Sequence, residues 1–258
     1  MIGLLYFIII IFANTIGAIS GMGGGVLIKP LLDAIGADSV PAITFYSTVA
    51  VFTMSIVSTL RQRKNMTIDY AVAGLVSLGA VLGGIGGNVT FEVLLQFFTN
   101  EKSVQLIQIL LTILTIGFSY IVSGSQWRLG LKGRHWYVVV GLLLGFLASL
   151  LGIGGGPINV ALLLLCFGMD MKAATVYSII TIFFSQLAKI LTISTTTGFA
   201  RYDLHMLYYV IPAAIIGGFL GAFASGRLKE DSVRRVYQLV LLLVLCINGY
   251  NGIQILFF

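Results

Sequence analysis

The pentapeptide Gly21-Met22-Gly23-Gly24-Gly25 recurs as Gly152-Ile153-Gly154-Gly155-Gly156, each time where one apolar run gives way to another. Runs of glycine let the backbone take positive φ, and they let a ligand reach peptide N–H groups with no Cβ in the way. The residues after each copy read as the start of a helix, with Pro157 suited to the first turn of the second one. Such a start presents unpaired N–H donors and the positive end of the helix dipole, which is the chemistry of an anion site. The backbones of Gly23, Gly24, Gly25, Gly154, Gly155 and Gly156 are therefore the candidate donors.

Side chains near the two copies extend this set. Lys29 follows the first copy by four residues, and because helical side chains lean toward the N-terminus its ammonium is expected to aim back at the turn; the competing reading is snorkelling to an interface. Asn159 offers a neutral donor in the second half, or a packing hydrogen bond. Tyr46, Ser47, Tyr177 and Ser178 occupy equivalent places early in the third segment of each half, and their hydroxyls suit either an oxyanion or a neighbouring helix. Gln186 and Lys189 lie deeper in the eighth segment, where Lys189 is expected to snorkel outward.

Other chemistry finds little support. Asp33, Asp38, Glu101, Asp170, Glu230 and Asp231 fall at segment ends or loops, which leaves Glu92 as the most embedded carboxylate and identifies no proton relay. Asp69 and Asp203 start segments and read as helix caps, and His135 and His205 read as interfacial. Cys166 and Cys246 both sit in apolar runs and read as packing residues. The glycine copies lack the strand–turn–helix setting of a dinucleotide fingerprint and the Gly-Lys-Ser/Thr end of a P-loop. With no metal or nucleophile constellation, no cofactor is expected.

The elements that must position these residues are membrane helices. The 258-residue chain is 58% hydrophobic and 9% charged, with mean hydropathy +1.04, far more apolar than a soluble domain. Polar breaks divide it into ten apolar segments near 2–20, 25–35, 41–60, 69–97, 103–123, 136–152, 156–168, 172–195, 204–226 and 233–257. They are continuously apolar rather than alternating, so the fold class is an all-α polytopic membrane protein and not a barrel. The segments 25–35 and 156–168 are too short to cross the ~30 Å hydrocarbon core untilted, which favours hairpins or broken helices. The first segment has no basic residues before it and reads as a mature span.

An offset of 131 superposes both the glycine copies and Thr44-Phe45-Tyr46-Ser47 on Thr175-Val176-Tyr177-Ser178, which indicates duplication. With a small gap, at an offset of 134, Gly83, Gly84 and Gly87 match Gly217, Gly218 and Gly221, small-residue spacings that read as close helix packing. The repeats are 1–125 and 126–258, about five segments each. A formal net charge of +6 excludes nothing by itself, but in a membrane chain it points to basic cytoplasmic loops rather than to nucleic acid. Arg61, Arg63 and Lys64 form one basic cluster, Arg128, Lys132 and Arg134 a second, and Arg227, Lys229, Arg234 and Arg235 a third. The equivalent loops of the opposite halves, around Arg201 and Lys102, have no such excess, so an odd number of crossings per half makes the halves inverted repeats with both termini external.

The stretch from Gly21 through Val26-Leu27-Ile28-Lys29-Pro30-Leu31-Leu32 resembles the Gly-x-Gly-Gly-Gly-x-Leu-x-x-Pro-x-Leu signature of the sulfite exporter TauE/SafE family, and length, hydropathy and duplication fit along nearly the whole chain. The resemblance implies transport of a small sulfur-containing anion such as sulfite or a sulfonate across the cell membrane, coupled to an ion gradient of protons or sodium. Where family members carry Ala-x-Gly-Thr-Ser, this chain has Ile43-Thr44-Phe45-Tyr46-Ser47 and Ala174-Thr175-Val176-Tyr177-Ser178, so the resemblance leaves the particular substrate open. The leading expectation is a secondary transporter that alternates access to an anion site between the halves. An anion channel using the glycine turns as a filter is the alternative, and a membrane enzyme a distant third.

Overall fold

The computed structural model describes residues 2–62, 68–98 and 100–257; Arg63 and Lys64 of the first basic cluster lie outside them. The described chain is helical, with no strand: α1 (Ile2–Ser20), α2 (Gly25–Ile35), α3 (Val40–Gln62), α4 (Tyr70–Phe97), α5 (Glu101–Gly124), α6 (Arg134–Leu151), α7 (Gly156–Phe167), α8 (Met171–Thr195), α9 (Leu207–Arg227, after a 3₁₀ turn at Leu204–Met206) and α10 (Glu230–Phe257). All ten expected segments are present. Eight are long and apolar enough to cross a membrane, and α2 and α7 are the two short ones.

Local chemistry explains the boundaries. Asp69 accepts hydrogen bonds from the N–H groups of Ala71 and Val72, and Asp170 from that of Ala173, each capping the helix that follows. At C-termini, Gly36, Gly152 and Gly168 take the left-handed conformation that ends a helix. Asp203 accepts from His205 N–H, the capping role expected of it.

Small residues set the closest packing. Gly79, Gly83 and Gly87 on α4 meet the backbone of α6 around Leu142, Phe146 and Leu150, while Gly217 and Gly221 on α9 meet α1 around Ile11, Thr15 and Ala18. The same relation holds for α4 on α8 and α9 on α3, and for α5 on α7 and α10 on α2. Contacts within and between the halves therefore recur when α1–α5 are exchanged for α6–α10. Cys166 is buried as expected, whereas Cys246 lies on the exposed face of α10 and packs no core, because that stripe of α10 faces outward.

The bundle has two ends. At one, Tyr6 donates to Asp38, Val40 N–H to Glu101, Tyr46 to the Asp203 carbonyl, and Arg201 pairs with Glu92, so both chain termini gather there. At the other, the linker joining the halves bonds to the end of α7, Met171 N–H donates to Glu230, and Asp69 N–H donates to Tyr177. Glu92 is thus less embedded than the sequence indicated: its side chain is 16% exposed and held by Arg201 at the bundle edge. Burial works against the charge of Arg201, but bonds with Glu92 and Tyr202 outweigh it and hold the guanidinium above its ordinary range.

Candidate functional site

Helices α1 and α2 form a hairpin that starts and finishes at the end bearing the termini. Helices α6 and α7 form another that starts and finishes at the linker end, where Tyr137 stacks on Phe167 at 4.3 Å. Eleven residues of α2 rise ~16 Å, about half of a ~30 Å hydrocarbon core, so each hairpin turns back inside the bundle. The two glycine turns meet there backbone to backbone. The N–H of Gly156 donates to the carbonyl of Met22 at 2.9 Å. Each turn is closed in the same way, Gly23 N–H on the Gly17 carbonyl and Gly154 N–H on the Ala148 carbonyl, both at 3.3 Å.

Only glycine fits this crossing. A Cβ on Gly23 would stand 3.2 Å from Ile182 Cδ1 and 3.3 Å from Val51 Cγ1, and one on Gly154 would stand 2.6 Å from Val51 Cγ1. Val51 of α3 and Ile182 of α8 thus clamp the turns from two sides, and α3 and α8 are the most buried spans of the bundle.

The expected donors divide into two sets. Gly23, Gly154 and Gly156 spend their N–H groups on carbonyls within the protein. Neither α2 nor α7 has a side-chain cap at its start, and among the described residues no acceptor stands on the N–H groups of Gly24, Gly25 and Gly155. Ser47 Oγ lies beside Gly25 and Asn159 Nδ2 beside Gly155; both side chains are fully buried, and neither Ser47 Oγ nor either amide atom of Asn159 has a partner. By contrast, Ser178 Oγ donates to the Gly21 carbonyl at 2.6 Å, and the Tyr46 and Tyr177 hydroxyls bond to loops at opposite ends of the bundle. Ser47 and Asn159 are gathered at the crossing; the tyrosine hydroxyls are not.

Both lysines depart from expectation. The Lys29 ammonium turns away from the glycine turn and pairs with Asp33 Oδ2 at 2.8 Å, one helical turn further on, with both side chains only 4% exposed. A buried ammonium goes to the nearest carboxylate on its own helix face. Lys189 does not snorkel, because the stripe Ser178, Ile182, Gln186, Lys189 faces the hairpins and not the outside. Its ammonium is fully buried, donates to the Ser149 carbonyl at 2.7 Å and lies 5.4 Å from the centre of the Phe91 ring. Ser149 belongs to the last turn of α6, whose carbonyl end attracts a cation. No carboxylate pairs with Lys189 among the described residues.

Several functional candidates escaped the sequence. Asn14 on α1 abuts Gly24, and its Oδ1 has no donor. Ser149 Oγ and both amide atoms of Asn88 are buried without partners, as is Oε1 of Gln186, which the sequence did single out, and Asn88 shares a helix stripe with Phe91. Lone polar residues in apolar runs were the available signal, since in a membrane such groups face the bundle interior.

A match to the family described as "Sulfite exporter TauE/SafE" spans residues 6–247. A relative from Bacillus subtilis (strain 168), described as "Probable membrane transporter protein YunE", is 25% identical over 94% of this chain and 96% of its own length. No solved structure matches.

Proposed function

From the premise that this chain belongs to the sulfite exporter TauE/SafE family and is a multi-pass membrane transporter, we propose that it is a secondary transporter moving a small sulfur-containing anion, sulfite or a sulfonate, by alternating access. The observation that carries this reading is the contact of two uncapped helix starts through Gly156 N–H and the Met22 carbonyl. Free N–H groups at Gly24, Gly25 and Gly155 supply donors to oxyanion oxygens, and Ser47 and Asn159 orient the ligand. Lys189 supplies a buried amine donor with no carboxylate on its own helix.

The halves 1–125 and 126–258 act as inverted repeats, each contributing one hairpin. The linker end carries Arg61, Arg128, Lys132, Arg134, Lys172, Arg227, Lys229, Arg234 and Arg235 against Lys102 and Arg201 at the other, so the linker end faces the cytoplasm of a cell membrane and both termini face out. Coupling to a proton or sodium gradient drives accumulation.

The test is counterflow in proteoliposomes. Unlabelled sulfite or methanesulfonate on the far side is expected to accelerate entry of the labelled anion, and flux that neither saturates nor shows counterflow identifies a channel instead. A Gly24→Val, Lys189→Met double variant with undiminished exchange removes these residues from the site.

A further inference from the structure

Between α2, α5 and α10 lies a polar site that the anion contacts leave unused. Lys29 occupies only Oδ2 of Asp33; Oδ1 is buried without a donor. Two other buried oxygens nearby share that condition. Gln108 donates its Nε2 to the Leu150 carbonyl at 2.8 Å but leaves Oε1 free, and Asn251 donates Nδ2 to the Pro30 carbonyl at 2.8 Å but leaves Oδ1 free. All three orphans are acceptors, so what belongs among them is a donor.

Two cavities meet at this carboxylate. A small one of about 10 Å3, room for about one water, is lined by Lys29, Asp33, Gln108, Thr112, Asn248 and Ile153 of the second glycine turn. An open one of about 300 Å3 at the end bearing the termini is lined by Asp33, Gly36, Lys102, Gln105, Asn251 and Gln254. Asp33 therefore lines both a polar vestibule and a smaller pocket that Ile153 of the second glycine turn also lines.

A metal cation is a poor occupant, because the Lys29 ammonium already holds one carboxylate oxygen and repels a second positive charge. A proton is a good one. It travels through water in the vestibule, bonds to the free Oδ1 and turns an ion partner into a neutral acid. We propose that Asp33 is the proton-binding site of the transport cycle, reached from the end bearing the termini, and that its protonation frees Lys29 to swing back to the start of α2 and hold the anion.

The charge balance favours this sequence. The empty site holds Lys29⁺ and Asp33⁻; the loaded site holds Lys29⁺, neutral Asp33 and one anion. Neither state buries a net charge at the pair, which a membrane interior penalises heavily. The other charged or titratable groups near the Lys29–Asp33 pair are Lys102 of α5 across the vestibule, Tyr6 of α1 with the Asp38 carboxylate to which its hydroxyl donates, and Lys189 of α8 on the Lys29 side. Among the elements packed on α2, α3 adds Tyr46 beside Tyr6, while α7 and α10 bring no charged side chain to Asp33.

The inference rests on the anion-transporter reading, and one experiment separates the two. Methanesulfonate is the probe, because its own charge does not titrate. Binding to the purified protein in nanodiscs is followed by calorimetry in weak buffer with a pH indicator. The wild type is expected to take up about one proton per sulfonate bound, and its affinity to fall about ten-fold per pH unit on the alkaline side. Asp33→Asn is expected to bind with no proton uptake and no pH dependence, while Glu92→Gln takes up the proton like the wild type. Because Asp33→Asn strands a buried ammonium, infrared difference spectra of wild-type protein with isotope-labelled aspartate provide a second readout: a protonated-aspartate band that grows when sulfonate binds. Sulfonate binding without proton uptake, or uptake retained in Asp33→Asn, overturns the coupling alone. Absence of sulfonate binding at any pH overturns the anion reading and the coupling with it.

Discussion

In the first glycine turn Gly24 sits in the right-handed region at φ −67°, whereas its counterpart Gly155 stands at φ +132°, between Gly154 at +72° and Gly156 at +64°. The same glycine spacing therefore folds into two different turns. The lysines differ as sharply. Lys29 has a carboxylate on its own helix and Lys189 has none, and at the repeat offset of 131 the positions opposite them are Val160 and Ser58. What recurs between the halves is backbone packing: the closure of each turn on its preceding helix, and the clamps Val51 and Ile182. What diverges is charge. A strictly symmetric pair of turns would offer two equal environments, and the charges make these two unequal.

The lysines give the largest expected difference. Lys29→Met strands the buried Asp33 carboxylate and is expected to lower stability by about 3–5 kcal/mol, while Lys29→Met with Asp33→Leu recovers most of that loss or all of it. Lys189→Met strands no carboxylate. It forfeits one bond to the Ser149 carbonyl but relieves a buried charge, so thermal melting in detergent should move little while sulfonate binding is lost. Equal destabilisation by the two single variants would break the comparison.

Next in size are the turns. Gly155→Ala forces a side chain into φ +132° and toward Ile182, and is expected to cost about 1–3 kcal/mol that Ile182→Ala does not restore, because the backbone strain stays. Gly24→Ala meets no such strain. Its Cβ collides with Asn14, 2.7 Å from Cγ, so Asn14→Ala should recover part of the loss. Chemical denaturation of the two single and two double variants decides whether strain or crowding dominates each turn.

Smaller effects belong to the hydroxyl tethers. Tyr46→Phe removes the bond to the Asp203 carbonyl and Tyr177→Phe the acceptor for Asp69 N–H, each expected to lower stability by about 1 kcal/mol at opposite ends of the bundle. Hydrogen exchange should rise at residues around 203 in the first variant and around 69 in the second, a local signature that a shared central role would not produce.

The helix pattern was legible because its signals are local. Apolar runs and the Gly, Asp and Pro that interrupt them placed all ten segments within three residues of the observed ends. The short length of α2 and α7 made hairpins or broken helices an expectation, but that the two turns meet was not legible, because the repeat leaves the depth of each turn open. The side chains were less so, since their directions depend on neighbours distant in sequence. Spacing of Lys29 and Asp33 by four was visible, but Asp33 looked like a segment end until α2 was seen to be buried almost to its last turn. The burial of Lys189 followed from which face of α8 meets the hairpins, and a nearly all-apolar helix does not announce that face, although Ser178, Gln186 and Lys189 share it. Likewise, nothing in two identical glycine spacings separates φ −67° from φ +132°.

The edge of the bundle offers the smallest effect and a control for the interior. Glu92 and Arg201 pair at 3.1 Å with side chains 16% and 33% exposed, where water and salt reach them. Glu92→Gln is expected to lower stability by no more than about 1 kcal/mol, and by less at high ionic strength. The Lys29–Asp33 pair is buried, so its loss should be insensitive to salt. Melting both variants across a salt series therefore ranks the two pairs by burial alone, and a salt response from Lys29→Met equal to that of Glu92→Gln would place the inner pair in contact with bulk water.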